Sequence, residues 1–120
     1  MLILMFLKHF IADFLFQTKY MLQKGARTGW FLPLLEHAGV HSLLTIGVGY
    51  IYTGSISKSV LIGFLDLFSH FLIDRGKVLA INWLNGLGSK FISERCFFWI
   101  LGLDQCLHMI FYYLLVMEVL

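Results

Sequence analysis

Histidine and aspartate are the residues whose types and spacing could support chemistry in this 120-residue chain, which contains five histidines and four aspartates. Eight of these nine residues form four pairs with a separation of four positions, which places both side chains of a pair on one face of a helix. Imidazole nitrogen and carboxylate oxygen suit Zn²⁺, Mn²⁺ or Fe²⁺, so the spacing predicts a metal site. The pairs are His9 with Asp13, His37 with His41, His70 with Asp74, and Asp104 with His108.

The rest of the chain is strongly apolar. Hydrophobic residues make up 59% and charged residues 13% of the sequence, and its mean hydropathy is +0.82. Soluble domains carry about a quarter charged residues, so this composition excludes a soluble globular domain and a disordered chain. A membrane-spanning helix needs about 20 residues, which leaves room for four spans. The predicted fold is all-α: a polytopic membrane four-helix bundle, with residues 1–120 forming a single transmembrane domain.

The apolar segments predict helices over about residues 2–23, 31–52, 59–84 and 96–120. Pro33 then falls in the first turn of the second helix, where its missing N–H is tolerated. Each helix carries one pair, and the pairs lie at comparable depths along their helices, so they can meet in one layer. The first pair and its intervening residues recur weakly as His70-Phe71-x-x-Asp74. This repeat favours two pseudo-symmetric helical hairpins.

Ionisable residues inside a membrane span are costly, about 2.5–3.5 kcal/mol for a central aspartate, and are a functional-site hypothesis by default. Structural hydrogen bonds between helices return only about 0.6–2 kcal/mol each, too little to account for a set that uses every histidine and aspartate. Eight ligands suit two ions, and Asp66 brings the count of carboxylates to four, which would balance two divalent charges. We expect about two ions, zinc first, with manganese or iron as alternatives. Structural hydrogen bonding and a proton or ion pathway are the competing interpretations.

Four further polar residues extend the faces of the pairs and are expected to support the ligands or to contact a substrate anion. For the two lysines among them, the alternative is a side chain that reaches the membrane interface. Tyr112 and Thr45 continue the same faces and are interpreted as packing residues. The four residues are Gln17, Lys24, Lys77 and Gln105.

These motifs, taken in order, resemble the bacterial and phage membrane family named domain of unknown function 3307. The resemblance covers nearly the whole chain and departs from the family pattern conservatively, for example at Phe16, where leucine is usual. It implies that the eight paired residues are the polar positions of the family, with Gln17, Lys24, Lys77 and Gln105 around them. The family is distantly similar to small inner-membrane metal-dependent hydrolases with comparable His/Asp helical motifs, which favours an enzyme by analogy.

The leading hypothesis is a metal-dependent hydrolase acting on a lipid-linked substrate or another phosphate or ester. The metal would lower the pKa of a bound water and polarise a phosphoryl or carbonyl oxygen. Asp104, Lys77 and Gln105 are the predicted catalytic residues, with Asp104 as the carboxylate that exchanges between metal binding and general-base work. The alternative is a protein that binds or transports metal ions or protons. A di-iron redox centre fits less well because no glutamate belongs to the layer, and a haem held by two histidines would leave the aspartates unexplained.

Lysine and arginine are unevenly distributed between the predicted loops. Short loops rich in these residues stay in the cytoplasm, so both termini are predicted to lie outside it, in a bacterial inner membrane. The even balance of charge and the lack of a basic cluster argue against a nucleic-acid partner. The expected partners are the lipid bilayer and a lipid-linked or anionic substrate. Loop one holds Lys19, Lys24 and Arg27, loop two holds Lys58, and loop three holds Arg75, Lys77, Lys90 and Arg95.

Overall fold

The computed structural model describes residues 1–86 and 94–119, and this part of the chain is almost entirely helical. The all-α, four-helix prediction is confirmed. A short 3-10 helix, Met21–Gly25, lies between the first two α-helices. The α-helices are α1 (Leu2–Phe14), α2 (Phe31–Thr53), α3 (Ile56–Gly86) and α4 (Glu94–Val119).

Three of the helices are long and apolar enough to cross a membrane: α2, α3 and the stretch Cys96–Glu118 of α4. Large apolar side chains cover their outer surfaces, whereas the buried interior holds more polar and charged residues than apolar ones. This distribution is the reverse of a water-soluble bundle. It agrees with a protein whose outer surface contacts lipid and whose polar groups satisfy one another inside.

The first predicted span is longer than the helix that forms. The sequence predicts one helix over residues 2–23, but α1 has 13 residues and ends at Phe14, a length of about 20 Å against the roughly 30 Å of a bilayer core. The amides of Leu15 and Phe16 both bond to the carbonyl of Ile11 and close the helix. Thr18 Oγ1 then accepts a hydrogen bond from the Met21 amide at 3.2 Å, which begins the 3-10 helix.

Helices α2 and α3 form a closely packed antiparallel hairpin. Gly54 ends α2 with φ +62°, a left-handed conformation that glycine adopts without a steric penalty. Its amide donates to the Tyr50 carbonyl at 2.9 Å. Between the helices, Ser42 Oγ donates to the Gly63 carbonyl at 2.7 Å. The missing side chain at Gly63 permits this approach, because a Cβ there would collide with Ile46.

Helix α1 packs against both α2 and α4. Near its start, Met5 joins Tyr112 and Val116 of α4 in a buried apolar cluster. The following turns of α1 therefore enter the space between the longer helices. This packing brings the polar residues of α1 into the same interior as those of α2, α3 and α4.

Candidate metal centre

Each α-helix contributes one imidazole ring to a compact, buried group. His70 is stacked between His41 and His108, with ring centroids 3.7 Å and 4.0 Å away. His9 completes the group, with its centroid 5.0 Å from that of His41 and 4.9 Å from that of His108. The rings of all four are almost fully buried. The structure thus brings one histidine of each pair together at one depth, as the residue spacing predicts.

Three histidines surround the carboxylate of Asp13. The Nε2 atoms of His9, His37 and His41 lie 3.2, 3.3 and 3.2 Å from its oxygens. A carboxylate accepts hydrogen bonds, and His41 Nε2 can donate one to Asp13 Oδ1 at 3.2 Å. His9 Nε2 lies close to Oδ2 but makes no hydrogen bond there. Asp13 therefore lies within a cage of three imidazole rings.

Asp74 connects this cage to a second group of donors. Its Oδ2 lies 3.3 Å from His37 Nε2, and its Oδ1 lies 3.5 Å from His108 Nε2. Asp104 Oδ1 lies 3.8 Å from the same His108 nitrogen. Asp74 thus bridges a histidine of α2 and a histidine of α4, and the same two oxygens also contact Lys24 Nζ at 2.6 Å and Lys77 Nζ at 3.3 Å.

The donor atoms fit a metal ion in their spacing. Metal–nitrogen and metal–oxygen bonds of about 2.0–2.2 Å place tetrahedral ligands about 3.4 Å apart, close to the separations of 3.2 to 3.5 Å around Asp13 and Asp74. The eight predicted ligands fall into three groups whose donor atoms can lie within 4.8 Å of one another. These groups are His9, His41 and His70; Asp13, His37 and His41; and Asp74, Asp104 and His108.

Several buried donors also lack a hydrogen-bond partner among the described residues. Buried polar atoms are normally satisfied. In His37, His41 and His108 the atom without a partner is Nδ1, whereas Nε2 is the atom that lies beside Asp13 or Asp74. Among these atoms are four histidine ring nitrogens and one carboxylate oxygen, and none of the five makes a hydrogen bond with a described residue. The five are His37 Nδ1, His41 Nδ1, His70 Nε2, His108 Nδ1 and Asp104 Oδ1.

The pairing of His70 differs from the prediction. Its Nδ1 lies 3.1 Å from Asp66 Oδ1, one turn earlier, and not beside Asp74. A carboxylate at Nδ1 orients the ring and leaves Nε2 towards the other histidines, an arrangement common behind metal-binding histidines. Asp66 itself is held by Lys8, whose Nζ lies 2.6 Å from Oδ2. Lysines contact Asp74 and Asp104 in the same way, and the expectation that four carboxylates balance two divalent ions stays a prediction.

His9, His41, His70 and His108 form a histidine layer, with the Lys8–Asp66 pair on one side of it. On the opposite side lies a polar pocket of about 350 Å³, lined by residues that include Gln17, Lys24 and Lys77. Lys24 Nζ lies 2.6 Å from Asp74, and Lys77 Nζ lies 2.9 Å from Asp104 and 3.3 Å from Asp74. Gln105 Nε2 donates to Asp104 at 3.2 Å. The structure thus brings Asp104, Lys77 and Gln105, the predicted catalytic residues, into one group at the edge of the layer.

With this geometry in place, comparison with known proteins identifies the family. Over residues 1–120 the chain matches the family described as protein of unknown function (DUF3307). The chain belongs to this family. No curated protein and no solved structure matches it. The resemblance to DUF3307 is confirmed, whereas the distant similarity to metal-dependent hydrolases remains a prediction.

Three residues that support the layer in this DUF3307 protein are not assigned to it by the sequence. Lys8 pairs with Asp66, Thr45 Oγ1 donates to Asp66 at 2.5 Å, and Tyr112 Oη lies 2.9 Å from His9 Nδ1. Thr45 and Tyr112 follow His41 and His108 by four residues, so the signal is present in their spacing, although packing is the simpler interpretation of such residues. A lysine inside an apolar helix is the corresponding signal for Lys8.

Proposed function

We propose that this protein is a membrane-embedded metal-binding protein that holds about two divalent ions, zinc first, and uses them to hydrolyse a lipid-linked or other phosphate or ester substrate. The observation that carries the proposal is the bridging position of Asp74. Its two oxygens face donors from different helices at distances that suit metal ligands. The further support is that the paired histidines and aspartates form three groups, each with ligand atoms within 4.8 Å of one another.

The donors divide into an imidazole-rich group and a carboxylate-rich group. Asp13, His37, His41 and His9 would hold one ion, and Asp74, Asp104 and His108 would hold the other. His70 stands between them, with its Nε2 directed by the hydrogen bond from Nδ1 to Asp66. Divalent ions in such a site supply Lewis acidity and lower the pKa of a coordinated water.

The residues around the second group would bind and position the substrate. Lys77 and Lys24 would meet the negative charge of a phosphate or carboxylate at the edge of the pocket. Asp104 would take up a proton, because one of its oxygens has no hydrogen-bond partner among the described residues. Gln105 would hold the other oxygen of Asp104 in place through the 3.2 Å hydrogen bond.

Transport of metal ions or protons is the competing function, and the position of Lys8 argues against a cation pathway. Lys8 and Asp66 form a buried pair on the side of the layer nearest the α2–α3 turn. A fixed ammonium group repels cations that would move from the histidines in that direction. The open pocket lies on the opposite side, as expected for a site that is entered from one side.

The direct test is elemental analysis of the purified protein in detergent, followed by hydrolysis assays with the metal-loaded protein. We expect about two equivalents of zinc, manganese or iron per chain, and a rise in thermal stability when metal is restored to chelated protein. Hydrolysis of phosphatidic acid or a related lipid phosphate should then depend on the metal. Absence of bound metal and of any stabilisation would refute the proposal, whereas metal binding without hydrolysis would support binding or transport.

We further propose that the protein lies in a bacterial inner membrane with both termini outside the cytoplasm. The support is Lys19, Lys24 and Arg27 between α1 and α2, against Lys58 alone near the α2–α3 turn. The assignment of Arg75, Lys77 and Arg95 to loop three is wrong, because the first two lie in α3 and the third in α4. In this orientation the pocket with Lys24 and Lys77 faces the cytoplasmic side. A reporter fused to the C-terminus should be active only in its periplasmic form, and activity of a cytoplasmic reporter would overturn the orientation.

A further inference from the structure

A second cavity adjoins the candidate site on its lipid-facing side. It is a cleft of about 430 Å³ between α3 and α4, within the range of about 300–1,000 Å³ typical of small-molecule sites. Leu72, Gly76 and Ala80 line it from α3, and Leu103 and Leu107 line it from α4. The leucines are exposed on the outer surface of the bundle. The cleft therefore opens sideways, towards the hydrocarbon of the bilayer.

Glycine and alanine create the width of this cleft. A Cβ built on Gly76 meets no atom within 4 Å, so the space beside the helix is open. Gly76 and Ala80 are four residues apart and lie on one face of α3. Facing them are leucine side chains of α4, so the walls of the cleft are apolar except where one polar pair lines it.

The polar pair is Lys77 and Asp104, which lie within the lining stretches 72–80 of α3 and 100–107 of α4. Both residues line the cleft, and Lys77 also lines the polar pocket with Lys24, Asp13 and Asp74. The two cavities therefore meet at Lys77, whose side chain is one-fifth exposed. An apolar cleft that borders a cation and a candidate metal centre matches a molecule with a hydrocarbon chain and an anionic head.

We infer that the α3–α4 cleft binds a hydrocarbon chain of a membrane lipid phosphate while its phosphate enters the polar pocket beside Lys77 and Lys24. The inference rests on the proposed function, since two lysines do not outweigh the carboxylates of Asp13, Asp74 and Asp104 unless cations are bound there. It makes the substrate an intact membrane lipid that reaches the site laterally. A water-soluble phosphate would enter only through the polar pocket.

Two glycine variants provide a matched test. Gly76→Phe fills the cleft, whereas Gly102→Phe adds the same side chain to α4 at a position that does not line it. Both glycines are helical positions with no atom within 4 Å of a built Cβ. Replacing a helical glycine favours the helix in both cases, so neither variant should fail to fold.

The probe is phosphatidic acid with a photoactivatable diazirine near the end of one acyl chain, presented to the zinc-loaded full chain in phosphatidylcholine nanodiscs. We expect crosslinks concentrated on residues 72–80 of α3 and 100–107 of α4. Loss of two buried methylenes lowers binding about tenfold, so Gly76→Phe should lose labelling by about that factor while Gly102→Phe keeps it. Phosphatidylcholine carrying the same diazirine chain should label the cleft much less.

Outcomes for the cleft and for the metal site can be separated by measuring metal content in the same samples. Equal labelling of the two variants, or labelling spread over all exposed helix surfaces, in a metal-loaded chain would overturn the cleft assignment and leave the metal function standing. Preferred cleft labelling that persists in a chain shown to bind no metal would support the cleft and refute the proposed hydrolase.

Discussion

Lysine–aspartate pairs of equal length lie on the two sides of the histidine layer, and their surroundings give them different roles. Lys8 and Asp66 are 2.6 Å apart with side chains 5% and 0% exposed, whereas Lys24 and Asp74 are also 2.6 Å apart with side chains 14% and 5% exposed. The first pair is closed among α1, α2 and α3. The second borders the polar pocket.

The difference shows that an ion pair cannot be assigned a role from its length. A pair buried away from solvent stays together because separating it would leave each charge buried without a partner, which costs free energy. In a pair beside a pocket, the lysine can leave its carboxylate and bind a new anion, because the carboxylate has other cations or hydrogen-bond donors nearby. Lys8 is therefore a structural counterion behind His70, while Lys24 and Lys77 are available to a substrate.

The largest loss of metal binding and of stability should follow from replacing a histidine of the layer that separates the two lysine–aspartate pairs. His41 belongs to two of the three candidate ligand groups and faces Asp13 at 3.2 Å. His41→Ala should abolish binding of at least one metal ion and lower the free energy of unfolding by about 3–5 kcal/mol, because Asp13 loses a buried partner. Asp74→Ala should behave similarly.

Metal content and unfolding in mixed detergent micelles would measure these losses. Cys106→Ala is the control, because Cys106 is an exposed, free cysteine on α4, and surface substitutions usually change stability by no more than about 0.5 kcal/mol. If the histidine and cysteine variants bind equal metal, the layer is not a metal site.

The closed pair should be the next most sensitive. Lys8→Met leaves the Asp66 carboxylate buried without its cation and should cost about 3–5 kcal/mol of unfolding free energy. The double variant Lys8→Met with Asp66→Asn removes both charges and should recover most of that loss, since the new amide can still bond to Thr45. A double variant as unstable as the single one would contradict the structural role of the pair.

Asp104→Asn should have a smaller effect on stability and a selective effect on activity. The amide preserves the shape of the side chain but cannot accept a proton, so we expect most of the metal to remain while hydrolysis of an anionic lipid is lost. His70→Ala should lose metal and turnover together. Parallel loss of metal in both variants, determined by elemental analysis beside the activity assay, would reject the role of Asp104.

The smallest stability change is expected on the open side. Lys24→Gln removes one cation from a partly exposed pair and should change the unfolding free energy by about 1 kcal/mol or less. Its effect should appear instead as weaker binding of lipid phosphate, seen as a higher KM with little change in kcat. A stability loss as large as that of Lys8→Met would remove the distinction between the two sides.

Much of the architecture is predictable because it depends on local rules. Apolar composition and length set the choice of helices in a membrane, and a separation of four residues places two side chains on one helical face whatever the rest of the chain does. The four pairs are therefore recognisable from the sequence alone. Their common depth follows from counting residues at a fixed helical rise.

Tertiary structure alone decided where α1 ends and which partners the polar groups take. Hydropathy cannot distinguish an apolar helix from an apolar loop, so it does not predict the turn after Phe14. Whether His70 meets Asp66 or Asp74, each one turn away on α3, depends on side-chain rotamers and on the partners that other helices bring to each carboxylate. Lys8 reaches Asp66 across 58 residues, a pairing set by how α1 packs between α2 and α4 and by the close approach of α3 to α2 at Gly63.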